Sequence, residues 1–446
     1  MKSVDTSFLY NLRIVGAHKD VLRSHVPPVF RLYSRWFAAG QEEAARRAGR
    51  KMARGEKVEV AFFLSVPGMW KSDYVFRAMR QDGRFHPYVV VCPYSVYKGF
   101  SPQAVEDTVR RTRQFIEEKG FECVVPRDGR GRWTDVRRAL RPDIVVFSAP
   151  YKDALPQHFI YHYRNTLTCY IAYSFTLFHT YKPNYDLIFH NLLGLHFVET
   201  EVHRQLAAAH SRNHAANVAV SGYPGTEVFL RHDHTPRDTW KPLPPTPDGQ
   251  RRRRVIWAPH HTIEECSPLP LSTFLRYADE MLEVARRHKD TLQLAFKPHQ
   301  LLRFKLNALW GKERTDAYYR RWQEGENTQC EETSYVDLFL TSDAMMHDSG
   351  SFTAEYLFTG KPVLFLDRAA DTASLFSPFG TLAYAQHYHA ANMADIGRFL
   401  QQVVLGGHDP MREGRQRFLE ETLAPAHASL PSQRILELME SKMTSE

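Results

Sequence analysis

One stretch of the chain, Ser342 to Asp367 (SDAMMHDSGSFTAEYLFTGKPVLFLD), leaves few folds open. It reads as strand, turn, helix, turn, strand. Ala344 to Met346 is a short apolar strand, and Asp348-Ser349-Gly350-Ser351 is a small polar turn. Phe352, Glu355, Tyr356 and Thr359 recur at helical spacing, Gly360 stops the helix, and Pro362 to Leu366 is a strand of the fully buried type. Two strands joined through a helix run parallel, and a parallel sheet is covered on both faces. Small residues in the turn would let an anion approach the unpaired N–H groups of a helix start. An ordinary helix cap is the plainer use of the same residues.

The same alternation recurs along the chain. Val58 to Val66, Tyr88 to Cys92, Phe121 to Val125, Asp143 to Phe147, Thr168 to Tyr173, Asp186 to His190 and Val218 to Ser221 are predicted strands, with helices between them. A second series follows: Val255 to Ala258, Leu292 to Phe296, then the opening unit, with helices predicted over Leu271 to His288, within Leu301 to Trp322, and over Asp395 to Leu405 and Glu413 to Leu423. The last of these is expected to cross back onto the first domain. The domains predicted are a basic helical extension over 1–57, broken at Pro27-Pro28; a first parallel domain over 58–231; a Pro/Arg-rich linker over 232–254; and a second parallel domain over 255–446. Ligands of such sheets gather at the carboxyl ends of the strands. The acceptor of any reaction is therefore expected near Pro67, Pro150, Ser174 and Gly222.

Five scattered cysteines with no C-x-x-C pair speak for a reducing compartment and against a zinc or disulfide framework. No apolar run is long enough to span a bilayer and no apolar leader is visible, so a cytoplasmic protein is expected. Of the net charge of +8, residues 1–57 hold +7, from twelve Lys or Arg against five Asp or Glu. Within them Val29 to Ala39 mixes aromatic residues with Arg31 and Arg35. An anionic membrane surface on the inner face of the cell is the partner this predicts, while a helix packed on the first domain with a solvated basic face is the plainer account. Charge so localised, without a nucleic-acid motif, does not describe a nucleic-acid-binding protein.

Four short motifs occur in order: Gly222-Tyr223-Pro224-Gly225-Thr226; Trp257-Ala258-Pro259-His260-His261; Lys297-Pro298-His299; and Asp348 to Ser351 with Glu355 and Lys361-Pro362. Together, over 222–366, they resemble the CDP-glycerol glycerophosphotransferase family of teichoic-acid and capsule polymerases. The resemblance implies an α/β chain of two facing, doubly wound Rossmann-like domains (the GT-B type) that moves a polyol phosphate from a CDP-activated donor to a glycan or glycolipid acceptor. It also implies His260 and His299 as catalytic residues, with Lys297, Asp348, Ser349, Gly350, Ser351 and Glu355 binding the donor. The family's H-G-T motif is missing where expected, after Cys169 to Ser174, so its base is absent or replaced by His179. No cofactor is expected. Without paired Cys, H-E-x-x-H or D-x-D, no metal is expected either.

A UDP-N-acetylglucosamine 2-epimerase-like enzyme is the alternative. Asp348-Ser349-Gly350-Ser351 and Gly360-Lys361-Pro362-Val363 suit that family, although Tyr356 stands where its helix carries a second glutamate. A nucleotide-sugar glycosyltransferase of the same fold is a third reading.

Overall fold

A computed structural model describes residues 27–94, 101–152, 154–246, 249–267, 269–332, 335–424 and 429–445. The chain divides into two compact units. The first takes 1–174, 180–225 and 429–446; the second takes 175–179 and 226–428.

The first unit is a seven-stranded sheet built from β1 (Val58–Leu64), β2 (Phe85–Val91), β3 (Cys123–Val124), β4 (Ile144–Phe147), β5 (Leu167–Ile171), β6 (Leu195–Val198) and β7 (Val218–Val220). The order is β3-β2-β1-β4-β5-β6-β7 and every pairing is parallel. Alternate residues feed two cores: Val60, Phe62 and Leu64 face one, Ala61 and Phe63 the other. That double burial explains why these strands read as unbroken apolar runs.

What precedes Pro27-Pro28, and with it the predicted break, lies outside the described residues. The two prolines open a helix, Pro27–Ala53, where a missing N–H costs nothing. Phe30, Phe37, Ala44, Ala45 and Ala48 bury one face of it. Gln41, also buried, donates its side-chain amide to the carbonyls of Tyr163, Arg164 and Thr166 and accepts from Thr168 N–H and its hydroxyl, all within 2.8–3.0 Å. Val29, Leu32 and Trp36 stay exposed on the outer face between Arg31 and Arg35.

Two expectations fail here. Asp186 to His190 is not a strand; Ile188–Leu192 is a short helix and the strand comes after it, as β6. Gly194 makes that step possible, since a Cβ there would lie 2.6 Å from the Leu167 side chain. Nor does Glu413 to Leu423 return to the first unit: Arg412–Phe418 and its continuation Leu419–Leu423 belong to the second. The returning element is a helix the sequence reading passed over, Pro431–Thr444. It sends Ile435, Leu436, Met439 and Met443 into the first unit's core.

The second unit holds β8 (Arg253–Ala258), β9 (Leu292–Phe296), β10 (Thr328–Cys330), β11 (Ala344–His347), β12 (Val363–Leu366) and β13 (Tyr388–Ala390), ordered β10-β9-β8-β11-β12-β13 and again all parallel. Trp257, Phe274, Phe296, Tyr318 and Trp322 form its aromatic centre. The four arginines 251–254, which run into the start of β8, are spent on structure: Arg251 pairs with Asp343, Arg254 with Asp238, and Arg252 donates to the carbonyls of Pro244 and Lys289. No helix among the described residues is long and apolar enough to cross a membrane.

Candidate functional site

In the second unit the chain starts at β8, builds outward through β9 and β10, then crosses to β11 on the other side. The strand order therefore reverses between β8 and β11, and the crevice at the carboxyl ends of such a pair is where open parallel sheets bind ligands. His260 and His261 follow β8, Lys297 and His299 follow β9, and the turn 348–351 follows β11.

The loops after β8 and β9 are tied together by their backbones. Lys297 N–H donates to the Trp257 carbonyl (2.8 Å) and His299 N–H to that of Pro259 (3.1 Å). This brings His260, His261 and His299 into one group, with ring centroids 4.3–5.1 Å apart. One nitrogen from each lies within 4.8 Å of the other two, the one such group of potential metal ligands among the described residues. Thr262 Oγ1 holds His260 Nδ1 at 2.9 Å, and Leu301 N–H donates to His299 Nδ1 at 3.1 Å. Neutral His299 therefore carries its proton on Nε2. His261 Nδ1 is buried without a partner.

Burial is the main cause of low basicity in all three. It pushes His299 down to about 3 and His261 to about 4, and holds His260 well below the ordinary histidine value. Repulsion from the neighbouring histidines adds to it for His260 and His299, Lys305 adds to it for all three and Lys297 for His299, while Glu264 opposes it at His261. At neutral pH the group is a set of uncharged imidazoles beside two lysines. A phosphate arriving there would relieve the repulsion and raise their basicity.

The turn after β11 works differently from what its motif suggests. Asp348 is fully buried. One carboxylate oxygen accepts His260 N–H; the other accepts Thr273 N–H (2.5 Å) and the Thr273 hydroxyl (2.7 Å). It ties the turn after β11 to the loop after β8 and to Thr273, with both oxygens engaged. Burial raises its carboxyl to about 6 against the opposing pull of these hydrogen bonds. Ser349 spends its N–H on His347 Nδ1 (3.1 Å). Gly350 is closed over by Phe178, whose ring a Cβ would meet at 3.1 Å. Ser351 is half-buried and already helical, and its side chain makes no capping bond. Glu355 is 1% exposed and accepts the Tyr335 hydroxyl, which faces it from the loop before Val336–Thr341.

Phe178 belongs to the 175–179 segment that counts with the second unit, as does His179 beside it. His179 is exposed, and its backbone N–H donates to the Leu375 carbonyl at 3.2 Å. It lies outside the three-histidine group but on a segment bordering the turn at Gly350. The sequence placed His261 in a motif beside His260 but gave it no role, and it gave no sign of Thr262 and Thr273 as supports of the group.

Set against known structures, this architecture has clear neighbours. UDP-GlcNAc 2-epimerase from Neisseria meningitidis, bound to UDP-GlcNAc, superposes with a TM-score of 0.52 at 13% identity, over 85% of this chain and 98% of the other. MnaA from S. aureus, solved with UDP, gives 0.53 at 14% over 86% and 96%. The wall teichoic acid polymerase TagF gives 0.52 at 12% over 99% and 98%. The fold is of the GT-B type. No family model matches the sequence, and no curated protein matches it. At such identities the likeness is one of fold.

Proposed function

We propose that the protein transfers a polyol phosphate of the glycerol phosphate type from a CDP-activated donor to a hydroxyl of a cell-surface polymer or glycolipid, releasing CMP. The observation that carries this reading is the meeting of His260, His261, His299 and Lys297 at the ends of β8 and β9, beside the point where strand order reverses. Such a set suits a diphosphate: donors and a cation at a strand-end crevice, with the nearby Glu264 engaged by Lys305. The acceptor oxygen attacks the phosphorus bearing the polyol. The bond from that phosphorus to the bridging oxygen breaks, and the bridging oxygen leaves on CMP. Lys297 with the Nε2–H of His299 would stabilise the charge on the departing phosphate, and His260 would share that work. The acceptor proton would pass to His179, which is exposed on the segment bordering the Gly350 turn. Ser351 would line the phosphate position, while Asp348 and Glu355 would act from behind it, as clamp and as support for Tyr335.

A second reading, a UDP-sugar epimerase or glycosyltransferase, is favoured by the fit of Asp348-Ser349-Gly350-Ser351 and Gly360-Lys361-Pro362-Val363 to that pattern on the same fold. A thermal-shift series with CDP-glycerol, CDP-ribitol, CMP, UDP-GlcNAc and UDP separates the two. Selective stabilisation by cytidine compounds is expected; stabilisation by uridine compounds alone would overturn the first reading in favour of the second.

A further inference from the structure

We propose that His260, His261 and His299 form a site for one divalent transition-metal ion of the zinc class, held by three imidazole nitrogens with a fourth position open. Four observations carry this. The three rings come from two adjacent strand ends whose loops are hydrogen-bonded to each other, so the group is assembled by the sheet and not by flexible side chains. One nitrogen from each already lies within 4.8 Å of the others. Tetrahedral ligands at zinc-like bond lengths sit about 3.3 Å apart, so small side-chain rotations close the site. His261 Nδ1 is buried without a partner, an orphan that a bound ion or a proton-sharing ligand would account for. Finally, Thr262 Oγ1 holds His260 Nδ1, leaving Nε2 to point elsewhere, and Thr262 is itself fixed by Leu271 N–H at 3.2 Å. Metal-binding histidines characteristically have their second nitrogen anchored in this way.

The donor set also chooses the metal. Three imidazoles without thiolate or carboxylate suit Zn2+, Co2+, Ni2+ or Cu2+ and do not suit Mg2+ or Ca2+. Three protein ligands with one position open is the arrangement of reactive zinc sites, not structural ones. One contact opposes the ion. His299 Nδ1 now accepts Leu301 N–H. Binding through Nε2 moves the ring proton to Nδ1 and turns that N–H away, and the ion would then take over the charge stabilisation that the Nε2–H of His299 provides in its absence. Leu301 is 45% exposed, so water can take the N–H over. No metal-ligand spacing linked these residues in the sequence, since His260-His261 and His299 follow different strands. For the open position we infer an oxygen of the donor diphosphate; this part alone rests on the donor reading above.

The full-length chain, stripped with a chelator and dialysed, is titrated with Co2+ in the absence of nucleotide. One equivalent is expected, with the visible absorption of a four- or five-coordinate ion and displacement by Zn2+. His261→Asn and His299→Asn should each weaken binding about a hundredfold while circular dichroism stays unchanged. The exposed His408→Asn should bind as the unaltered protein does. Equal weakening in His408→Asn, unaltered binding in His261→Asn, or uptake without a saturable single site would overturn the proposal in favour of scattered surface histidines. Adding CDP-glycerol or UDP to the Co2+-loaded protein then tests the open position. A nucleotide that raises Tm but leaves the spectrum untouched refutes that part. If neither nucleotide raises Tm, the donor reading fails while the metal site stands on the first titration.

Discussion

Asp348 is the residue whose replacement discriminates most sharply between a clamp and a ligand contact. Its three accepted hydrogen bonds are unevenly divided: one from His260 N–H, two from Thr273. Asp348→Asn can offer an oxygen to only one side. Turned with its oxygen to Thr273, the amide faces His260 N–H and leaves that one backbone donor unpaired. The orphan costs about 1–3 kcal/mol, partly returned because a neutral amide escapes the cost of burying a charge. A net loss of about 1–2 kcal/mol follows. Asp348→Ala removes both acceptor oxygens and all three hydrogen bonds, leaves two backbone N–H groups orphaned and should cost about 3–5 kcal/mol. Urea unfolding followed by tryptophan fluorescence reads both, because Trp257 and Trp322 are fully buried 5.5 Å apart in the same unit. The N–H of His260 and the amide would repel each other, so Asp348→Asn should also displace His260 and weaken Co2+ binding about tenfold despite its mild effect on folding. Equal costs for the two variants, or a folded Asp348→Asn protein that binds Co2+ as before, would refute the clamp.

Four other outcomes are expected. Ser351→Asp should remain folded yet lose the cytidine donor in isothermal titration. Two anions ~4 Å apart at an effective dielectric of ~20 repel by about 4 kcal/mol, and wild-type affinity would remove Ser351 from the phosphate position. Gln41→Leu should cost about 2–4 kcal/mol and expose the helix Pro27–Ala53 to protease, since three carbonyls and an N–H lose their partner; unchanged proteolysis would deny that Gln41 anchors it. Leu32→Ser with Trp36→Ser should lower co-sedimentation with phosphatidylglycerol vesicles with only a small loss of stability, since both side chains are exposed and Trp36 gives up its contact with Arg164; undiminished sedimentation would reject a membrane role for this face. Burial lowers Lys361 from 10.5 to about 8. The folded state then binds fewer protons than the unfolded one between those values, so the penalty is full below about 8 and relieved as pH rises toward 10.5. The stability gap between the wild type and Lys361→Met should shift in favour of the wild type over that window, and a flat gap would contradict the assignment.

The parallel sheets were legible because strands buried on both faces become continuous apolar runs; β9 emerged with the bounds Leu292–Phe296. The same property misled at 186–198. There two apolar runs stand side by side, and period alone cannot tell a buried short helix from a strand. β10 and β13, three residues each and partly polar, sit at the sheet edges and left no signal. In Pro431–Thr444 the apolar positions did carry helical spacing, but the surface receiving them is set by tertiary structure. For the site, the motifs pointed at His260, Lys297 and His299, while the meeting of His261 with His299 depends on β8 pairing with β9. The burial of Asp348 was not legible, because a polar residue in a turn reads as accessible, and only the fold reveals that both of its oxygens are engaged.

The last helix has a consequence for how the molecule is made. The chain passes between the two units at 174–175, 179–180, 225–226 and 428–429, so neither unit is one uninterrupted length of polypeptide. During synthesis the whole of the second unit leaves the ribosome before the residues that complete the first. Until Ile435, Leu436, Met439 and Met443 emerge, the first unit waits with a vacant apolar groove. Each of those side chains is worth roughly 1.5–3 kcal/mol when buried. A premature stop just before Pro431 would therefore injure the unit that was made first, and a fragment ending at the close of β7 would begin life with its core open to water.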